Sequence, residues 1–214
     1  MFAPGSYKII LYACALLAIC LIFTFFYPNL FTKILSILVG VLFLFNLFFF
    51  RDPDRKIPDG DNLILSPADG KVVQIERVIE TDYFKMEVQR LSIFLSVFDV
   101  HVNRIPISGT VNFFQYIPGK FFVAFEPKAS ELNEQSVIGI QSGNKKVLFK
   151  QIAGIIARRI ICNVADGDTV SAGQRFGLIR YGSRVDVFFP ENAKITVDVG
   201  DRVVGGKTII GEFK

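Results

Sequence analysis

The chain has one histidine, His101, set in Ser96-Val97-Phe98-Asp99-Val100-His101-Val102-Asn103-Arg104-Ile105-Pro106. Two segments far from it offer partners. Asp69 stands before a glycine in Ser66-Pro67-Ala68-Asp69-Gly70, and Ser183 follows a glycine in Tyr181-Gly182-Ser183-Arg184. An imidazole, a carboxylate and a hydroxyl are the parts of a nucleophilic triad. Serine is a weak nucleophile that needs a base, and an imidazole with an unperturbed pKa of about 6.5 can take its proton. Asp69 can hold the imidazole tautomer and stabilise its cation. Gly182 leaves the carbonyl before Ser183 sterically open and permits a strained backbone. Such a triad can act on the chain that carries it. Taken singly, each residue also has a plainer reading. A histidine between valines packs in a strand, and Asp69-Gly70 or Gly182-Ser183 makes a turn. Asp99 reads as a supporting group or a solvated turn.

The elements that must position these groups fall into two unlike parts. Residues 1–50 hold only Lys8 and Lys33 of the 24 lysines and arginines, and none of the 20 acids. What remains of the +4 net charge in residues 51–214 is +2, too little to signal a nucleic-acid partner. Cys14 and Cys20 lie in an apolar run and Cys162 stands alone, so no metal-ligand spacing exists and no metal is expected. The thiols read as small hydrophobes, with no sign of an oxidising compartment.

Ile9–Tyr27 is uncharged for 19 residues and Ile34–Phe50 for 17, with Pro28-Asn29 as a turn between them. A spanning helix needs roughly 17–25 apolar residues. Residues 1–50 therefore read as a membrane-anchoring helical hairpin, and a cleaved signal peptide fits poorly. Lys8 before the first run and Arg51, Arg55 and Lys56 after the second place both ends on the cytoplasmic side of the cell membrane.

Residues 51–214 change pattern to short apolar runs broken by Gly, Pro, Asn and Asp. Asn62–Leu65, Lys71–Ile75, Leu91–Val97, Thr110–Phe114, Lys146–Lys150 and Arg184–Phe189 read as strands. Gln151–Cys162 suits a buried strand better than a short helix, and Pro118–Gln135 reads as a long loop. Gly167-Asp168-Thr169-Val170-Ser171-Ala172-Gly173 repeats as Gly200-Asp201-Arg202-Val203-Val204-Gly205-Gly206, both G-D-x-V-x-x-G. A mainly β, barrel-sandwich-hybrid-like domain with pseudo-symmetric halves is expected. Two unrelated hairpin turns are the alternative.

Five segments then come in one order: Phe49-Phe50-Arg51-Asp52-Pro53, Ser66-Pro67-Ala68-Asp69-Gly70-Lys71-Val72, Phe98-Asp99-Val100-His101-Val102-Asn103-Arg104, Pro118-Gly119-Lys120-Phe121-Phe122 and Arg180-Tyr181-Gly182-Ser183-Arg184-Val185-Asp186. With them the chain resembles, over essentially its whole length, the short, membrane-anchored phosphatidylserine decarboxylase proenzymes. The resemblance implies self-cleavage between Gly182 and Ser183 into residues 1–182 and a 32-residue chain, 183–214. Ser183 would end as a pyruvoyl group, a covalent cofactor made from the chain itself. That group would take the amine of phosphatidylserine as a Schiff base and release phosphatidylethanolamine after loss of CO2, with His101 as candidate general acid. The partners implied are the membrane, its phospholipid, the large and small chains of one precursor, and a second copy in a homo-oligomer.

Asn103 and Arg104 are then candidates for the substrate carboxylate or phosphate, since arginine suits a bidentate contact. Lys120, Phe121 and Phe122 can grip a phosphate and acyl chains at the membrane surface, or equally belong to core and surface. Longer family members often carry a second histidine three residues after the first, where this chain has Arg104. Two other readings remain open. A non-catalytic membrane-anchored adaptor or carrier module would leave the triad unexplained, and a carrier needs a lysine at a hairpin tip that neither repeated turn supplies. An intermolecular serine hydrolase lacks the Gly-x-Ser-x-Gly elbow.

Overall fold

The computed structural model describes residues 1–119, 133–154, 160–180 and 182–214. It divides into two compact units, Met1–Asp54 and Arg55–Lys214.

The first unit is a pair of helices, α1 (Tyr7–Phe26) and α2 (Leu30–Phe49). Asn29 starts α2 with a capping box: its side chain accepts from the Thr32 N–H, and Thr32 Oγ1 accepts from the Asn29 N–H. Thr24 Oγ1 meets Ser36 Oγ at 2.8 Å and donates to the Thr32 carbonyl. These hydroxyls are thus satisfied within the hairpin, as a lipid environment requires. The unit's two ends meet in a bridge between Phe2 and Arg51, with the Ala3 N–H on the Phe50 carbonyl and the Asp52 N–H on the Met1 carbonyl. Both helices are long and apolar enough to cross a membrane, and α1 buries none of its residues. Apolar on every side, α1 has no polar face to turn to water.

The second unit is mainly β. Its described strands are β1 (Leu63–Leu65), β2 (Gly70–Glu80), β3 (Met86–Leu95), β4 (Val102–Arg104), β5 (Gly109–Ile117), β6 (Gln135–Ser142), β7 (Lys145–Ala153), β8 (Ile160–Cys162), β9 (Thr169–Val170), β10 (Arg175–Ile179), β11 (Ser183–Phe189), β12 (Ala193–Ile195), β13 (Arg202–Val203) and β14 (Ile209–Phe213). Among the described residues they form an antiparallel sheet in the order β13-β2-β3-β11-β7-β6-β5-β9 and two smaller sheets, β1-β14-β12 and β4-β10-β8.

Every residue of β11 is buried, because it lies between β3 and β7 and is covered on both faces. Side chains alternate across a strand. Val185, Val187 and Phe189 therefore join Ile93, Leu95 and Phe149 in the main core, where Phe149 packs edge to face on Phe176 of the smaller sheet. Phe188 joins Val88, Val137 and Leu148 on the opposite face. Arg184 and Asp186 share that opposite face as a buried ion pair at 2.6 Å, and Arg184 also donates to Ser92 Oγ.

The expected strands fall on β1, β2, β3, β5, β7 and β11. Gln151–Ala153 closes β7 and Ile160–Cys162 forms β8, while residues 155–159 lie outside the described residues. The expected loop ends earlier than its sequence suggested: Gln135 already opens β6, and residues 120–132 lie outside the described residues.

The repeated turn is real and has a counterpart elsewhere. The Gly167 N–H donates to the Val111 carbonyl and the Val111 N–H to the Asp168 carbonyl; Gly200, Val72 and Asp201 repeat both bonds. β9 then pairs Gly109-Thr110 as β13 pairs Gly70-Lys71, so the two short edge strands of the large sheet are equivalent. Pro67–Val72 and Pro106–Val111 share P-x-x-G-x-V. The halves interlock where the Arg104 N–H reaches the Pro67 carbonyl and the Leu65 N–H reaches the Pro106 carbonyl, both at 2.9 Å. This crossing holds the Ser66–Gly70 turn beside β4, immediately after His101.

Candidate active site

Ser183 is the first residue of β11 and pairs with Leu95 of β3 and Ala153 of β7. Strand alternation turns it toward the main core. It is fully buried, and its Oγ has no hydrogen-bond partner among the described residues. An unsatisfied buried hydroxyl costs about 1–3 kcal/mol, so its retention in a packed core asks for a chemical reason.

Gly182, just before it, adopts φ +80°, and a Cβ there would meet no atom within 4 Å. Backbone conformation therefore selects glycine here, and crowding does not. His101 is fully buried as well. The Gly182 N–H points at its Nε2, 3.2 Å away, and Nδ1 lies 2.9 Å from the Asp99 carbonyl. An N–H can only donate and a carbonyl can only accept. These partners fix the neutral imidazole with the proton on Nδ1 and the lone pair of Nε2 directed at the Gly182-Ser183 segment.

Asp99 is anchored in turn. Its Oδ2 accepts from the Ser96 N–H and Oγ–H, and its Oδ1 from the Arg202 guanidinium. Burial pushes its carboxyl up, but the bonds from Ser96 and Arg202 outweigh this and hold it below the ordinary aspartate value.

Asp69 is placed differently from the sequence expectation. Its carboxylate takes both ends of the Arg55 guanidinium, at 2.6 and 2.8 Å, and the Gly205 N–H at 2.8 Å. Arg55 also donates to the Gly205 carbonyl. The structure thus gives Nδ1 of His101 to a backbone carbonyl and gives Asp69 to an arginine.

Asn103 is fully buried, donating to the Pro67 carbonyl at 3.5 Å and accepting from Gln151 Nε2 at 2.8 Å. Arg104 is nearly buried, and its guanidinium donates to the Gly173 carbonyl at 3.0 Å. Lys120, Phe121 and Phe122 lie outside the described residues. The structure brings His101 and Ser183 to the two sides of Gly182, and Asn103 to Gln151. Arg55, the Asp99 carbonyl and Gln151 were not singled out in the sequence.

The family model described as "Phosphatidylserine decarboxylase" matches residues 42–211. The chain is 47% identical over 192 residues to the "Phosphatidylserine decarboxylase proenzyme" of Cytophaga hutchinsonii, covering 88% of this chain and 87% of that one. It is 49% identical over 178 residues to the protein of the same name from Ehrlichia chaffeensis, covering 82% and 79%. For that of Desulfotalea psychrophila the identity is 44% over 182 residues, covering 85% of each. A match of this extent, over a fold in which a buried serine follows a glycine held by the chain's one histidine, means that the chain belongs to the phosphatidylserine decarboxylase family of carboxy-lyases.

Proposed function

We propose that this chain is a self-processing proenzyme that converts phosphatidylserine to phosphatidylethanolamine at a cell membrane. The observation that carries the reading is the Gly182-Ser183 junction, where an unsatisfied buried hydroxyl follows a positive-φ glycine whose N–H is held by the lone histidine. The names of the relatives support both the substrate and the precursor state.

In the first stage Ser183 Oγ attacks the Gly182 carbonyl carbon. His101 takes the hydroxyl proton, exchanging the neighbouring Gly182 N–H for the serine O–H at Nε2. The Gly182–Ser183 amide bond breaks as the new ester bond forms. Loss of the Ser183 α-proton then expels the Gly182 carboxylate and cuts the chain. Hydrolysis of the remaining enamine releases ammonia and leaves a ketone on a small chain of 32 residues, 183–214.

The residues present fit such a group. Position 183 is enclosed by Leu95, Ala153 and Gly182, and no charged side chain competes for it among these neighbours. Once formed, the pyruvoyl ketone supplies a carbon that condenses with the serine headgroup amine and an electron sink for the pair released with CO2. Nε2 of His101 is the ring nitrogen turned to the Gly182-Ser183 segment, so once it has taken up a proton it can deliver that proton to the site in the second stage. From its place on Arg55 and the Gly205 N–H, Asp69 is proposed to stabilise the imidazolium of His101 by its charge, and Asn103 and Arg104 to meet the polar headgroup. The small chain stays in place after the cut, because β11 is paired on both sides and β14 lies between β1 and β12. The apolar hairpin anchors the chain, and its flanking cations put the second unit on the cytoplasmic face. Residues 1–50 and 51–214 are the anchoring and catalytic parts.

Denaturing mass analysis of the full-length protein beside Ser183→Ala tests the reading. A 183–214 fragment with a blocked N-terminus, absent from the variant, is the expected result. One intact chain from both, after incubation with phosphatidylserine vesicles, overturns it.

A further inference from the structure

A second polar pair stands on the interior face beside Ser183, and self-cleavage makes no use of it. Gln151 lies on β7 opposite Val185, two residues before Ala153, the ladder partner of Ser183. Alternation puts Gln151, Ala153, Ser183 and Val185 on one face, with Gln151 the diagonal cross-strand neighbour of Ser183, roughly 7–8 Å away. That face is otherwise the apolar core of Ile93, Leu95, Phe149 and Phe176.

Both Gln151 and its partner Asn103 are fully buried. Their amides are oriented by a chain of bonds. Asn103 Nδ2 donates to the Pro67 carbonyl, which leaves Oδ1 as acceptor, and Gln151 Nε2 donates to that oxygen. The Oε1 of Gln151 is left with no partner among the described residues. Room for this amide is built into the facing sheet. At Gly177, the ladder partner of Asn103, a Cβ would meet the Ile161 carbonyl oxygen at 2.3 Å and Gln151 Nε2 at 2.9 Å, so a larger residue would crowd this amide as well as the neighbouring strand. Two unsatisfied buried polar atoms, Ser183 Oγ and Gln151 Oε1, therefore belong to successive same-face positions of one ladder, on the 183–153 and 185–151 rungs. A packed core tolerates such atoms at a cost, and a shared ligand relieves both.

The chemistry of that ligand follows from the atom. A carbonyl acceptor selects an N–H or O–H donor and repels a carboxylate. We propose that Gln151, oriented by Asn103, recognises the amino group of the substrate, accepting a hydrogen bond from its N–H next to residue 183. The proposal rests on the self-processing reading above and adds to it the residue that steers the amine, and not the carboxylate, toward the reacting carbon.

The test uses full-length protein in detergent as wild type, Gln151→Leu and Gln151→Glu. Each is incubated with glycerophospho-L-serine and sodium cyanoborohydride over a pH series. Where the amine nitrogen bonds to the ketone carbon and the oxygen leaves as water, hydride from the borohydride fixes the link. The mass of the small chain then counts captured amine, before or after loss of CO2, per mole of small chain released. Counting in this way keeps slow self-cleavage from passing as weak binding. Gln151→Leu is expected to capture on the order of tenfold less at equal headgroup concentration. Gln151→Glu is expected to capture well at neutral pH and to show an acid limb, absent from wild type, as its carboxylate protonates. Capture by Gln151→Leu equal to wild type, or a Gln151→Glu profile superimposable on wild type, overturns the proposal. If Gln151→Leu releases no small chain, the Glu profile decides alone. Wild-type protein that releases no small chain sinks the self-processing reading and this proposal with it, an outcome distinct from the other two.

Discussion

His101 Nε2 accepts a hydrogen bond from the backbone N–H of Gly182, the residue immediately before Ser183. The lone pair that a serine nucleophile needs is therefore already directed at the Gly182-Ser183 segment, in the neutral tautomer that the Asp99 carbonyl sets. His101→Ala removes the base and leaves the hydroxyl as it was. Self-cleavage is expected to slow by about 10²–10⁴-fold, the usual worth of a positioned general base. A time course of small-chain release by denaturing electrophoresis measures this. Release at the wild-type rate rules out His101 as the base.

Gly182 makes a sharper test because its reason for being glycine is conformational alone. Its φ is +80° and the space around a new Cβ is open. Gly182→Ala should cost about 1–2 kcal/mol by forcing an L-residue into the left-handed region. Gly182→Asn should cost less, since asparagine tolerates that region better than other side chains. Cleavage rates are expected in the order glycine, asparagine, alanine. A clash would instead penalise the larger asparagine more, so the reverse order excludes this account.

Residue type showed where chemistry was available, and pairing showed what each group could reach. His101, Ser183 and Gly182 were legible because few residue types combine a base, a hydroxyl and a permissive backbone. The G-D-x-V-x-x-G turns were legible as a repeat. Their counterparts Pro67–Val72 and Pro106–Val111 passed unnoticed because only a proline, a glycine and a valine survive in common. Gln151 in Lys150-Gln151-Ile152-Ala153 looks like an ordinary surface position of a strand. Only the register against Val185 reveals that it faces the core. β4, β6 and β10 escaped for a related reason. They are short or hold polar residues such as Asn103, Gln135 and Ser136 that burial and cross-strand bonding satisfy, and no local pattern announces that.

The pairing of Asp69 with Arg55 separates two roles that the sequence had merged. Both side chains are nearly buried, and the pair is bidentate. Removing one partner of a buried pair leaves an uncompensated charge and costs about 3–5 kcal/mol, with the lower end expected here because both retain some solvent contact. Asp69→Asn and Arg55→Ala should therefore lower stability alike in an uncleaved Ser183→Ala background, and the double variant should recover part of the loss. Cleavage rate in the Ser183 background distinguishes a catalytic Asp69. If its charge supports the imidazolium, Asp69→Asn slows cleavage far more than Arg55→Ala does. Equal slowing by both variants assigns Asp69 a purely structural part.

Asp99 links the histidine to the strand that carries Arg202, since its carbonyl holds Nδ1 while its carboxylate holds the Arg202 guanidinium. Burial alone would raise its pKa, but the Ser96 and Arg202 bonds leave it lowered in the folded state. The unfolded chain then binds the proton more readily, so folding gains stability above the unfolded value and loses it as pH falls through the folded one. Asp99→Asn in the uncleaved Ser183→Ala background should be less stable than its parent at pH 7, by on the order of 1 kcal/mol. The gap should begin to close below about pH 4, where an unfolded aspartate protonates, and narrow further as pH falls through the lower folded value. Urea unfolding at pH 7, 5 and 3 follows this difference. A gap that stays constant, or widens toward acid, shows that the carboxylate charge contributes nothing and that Asp99 acts on His101 through its backbone carbonyl alone.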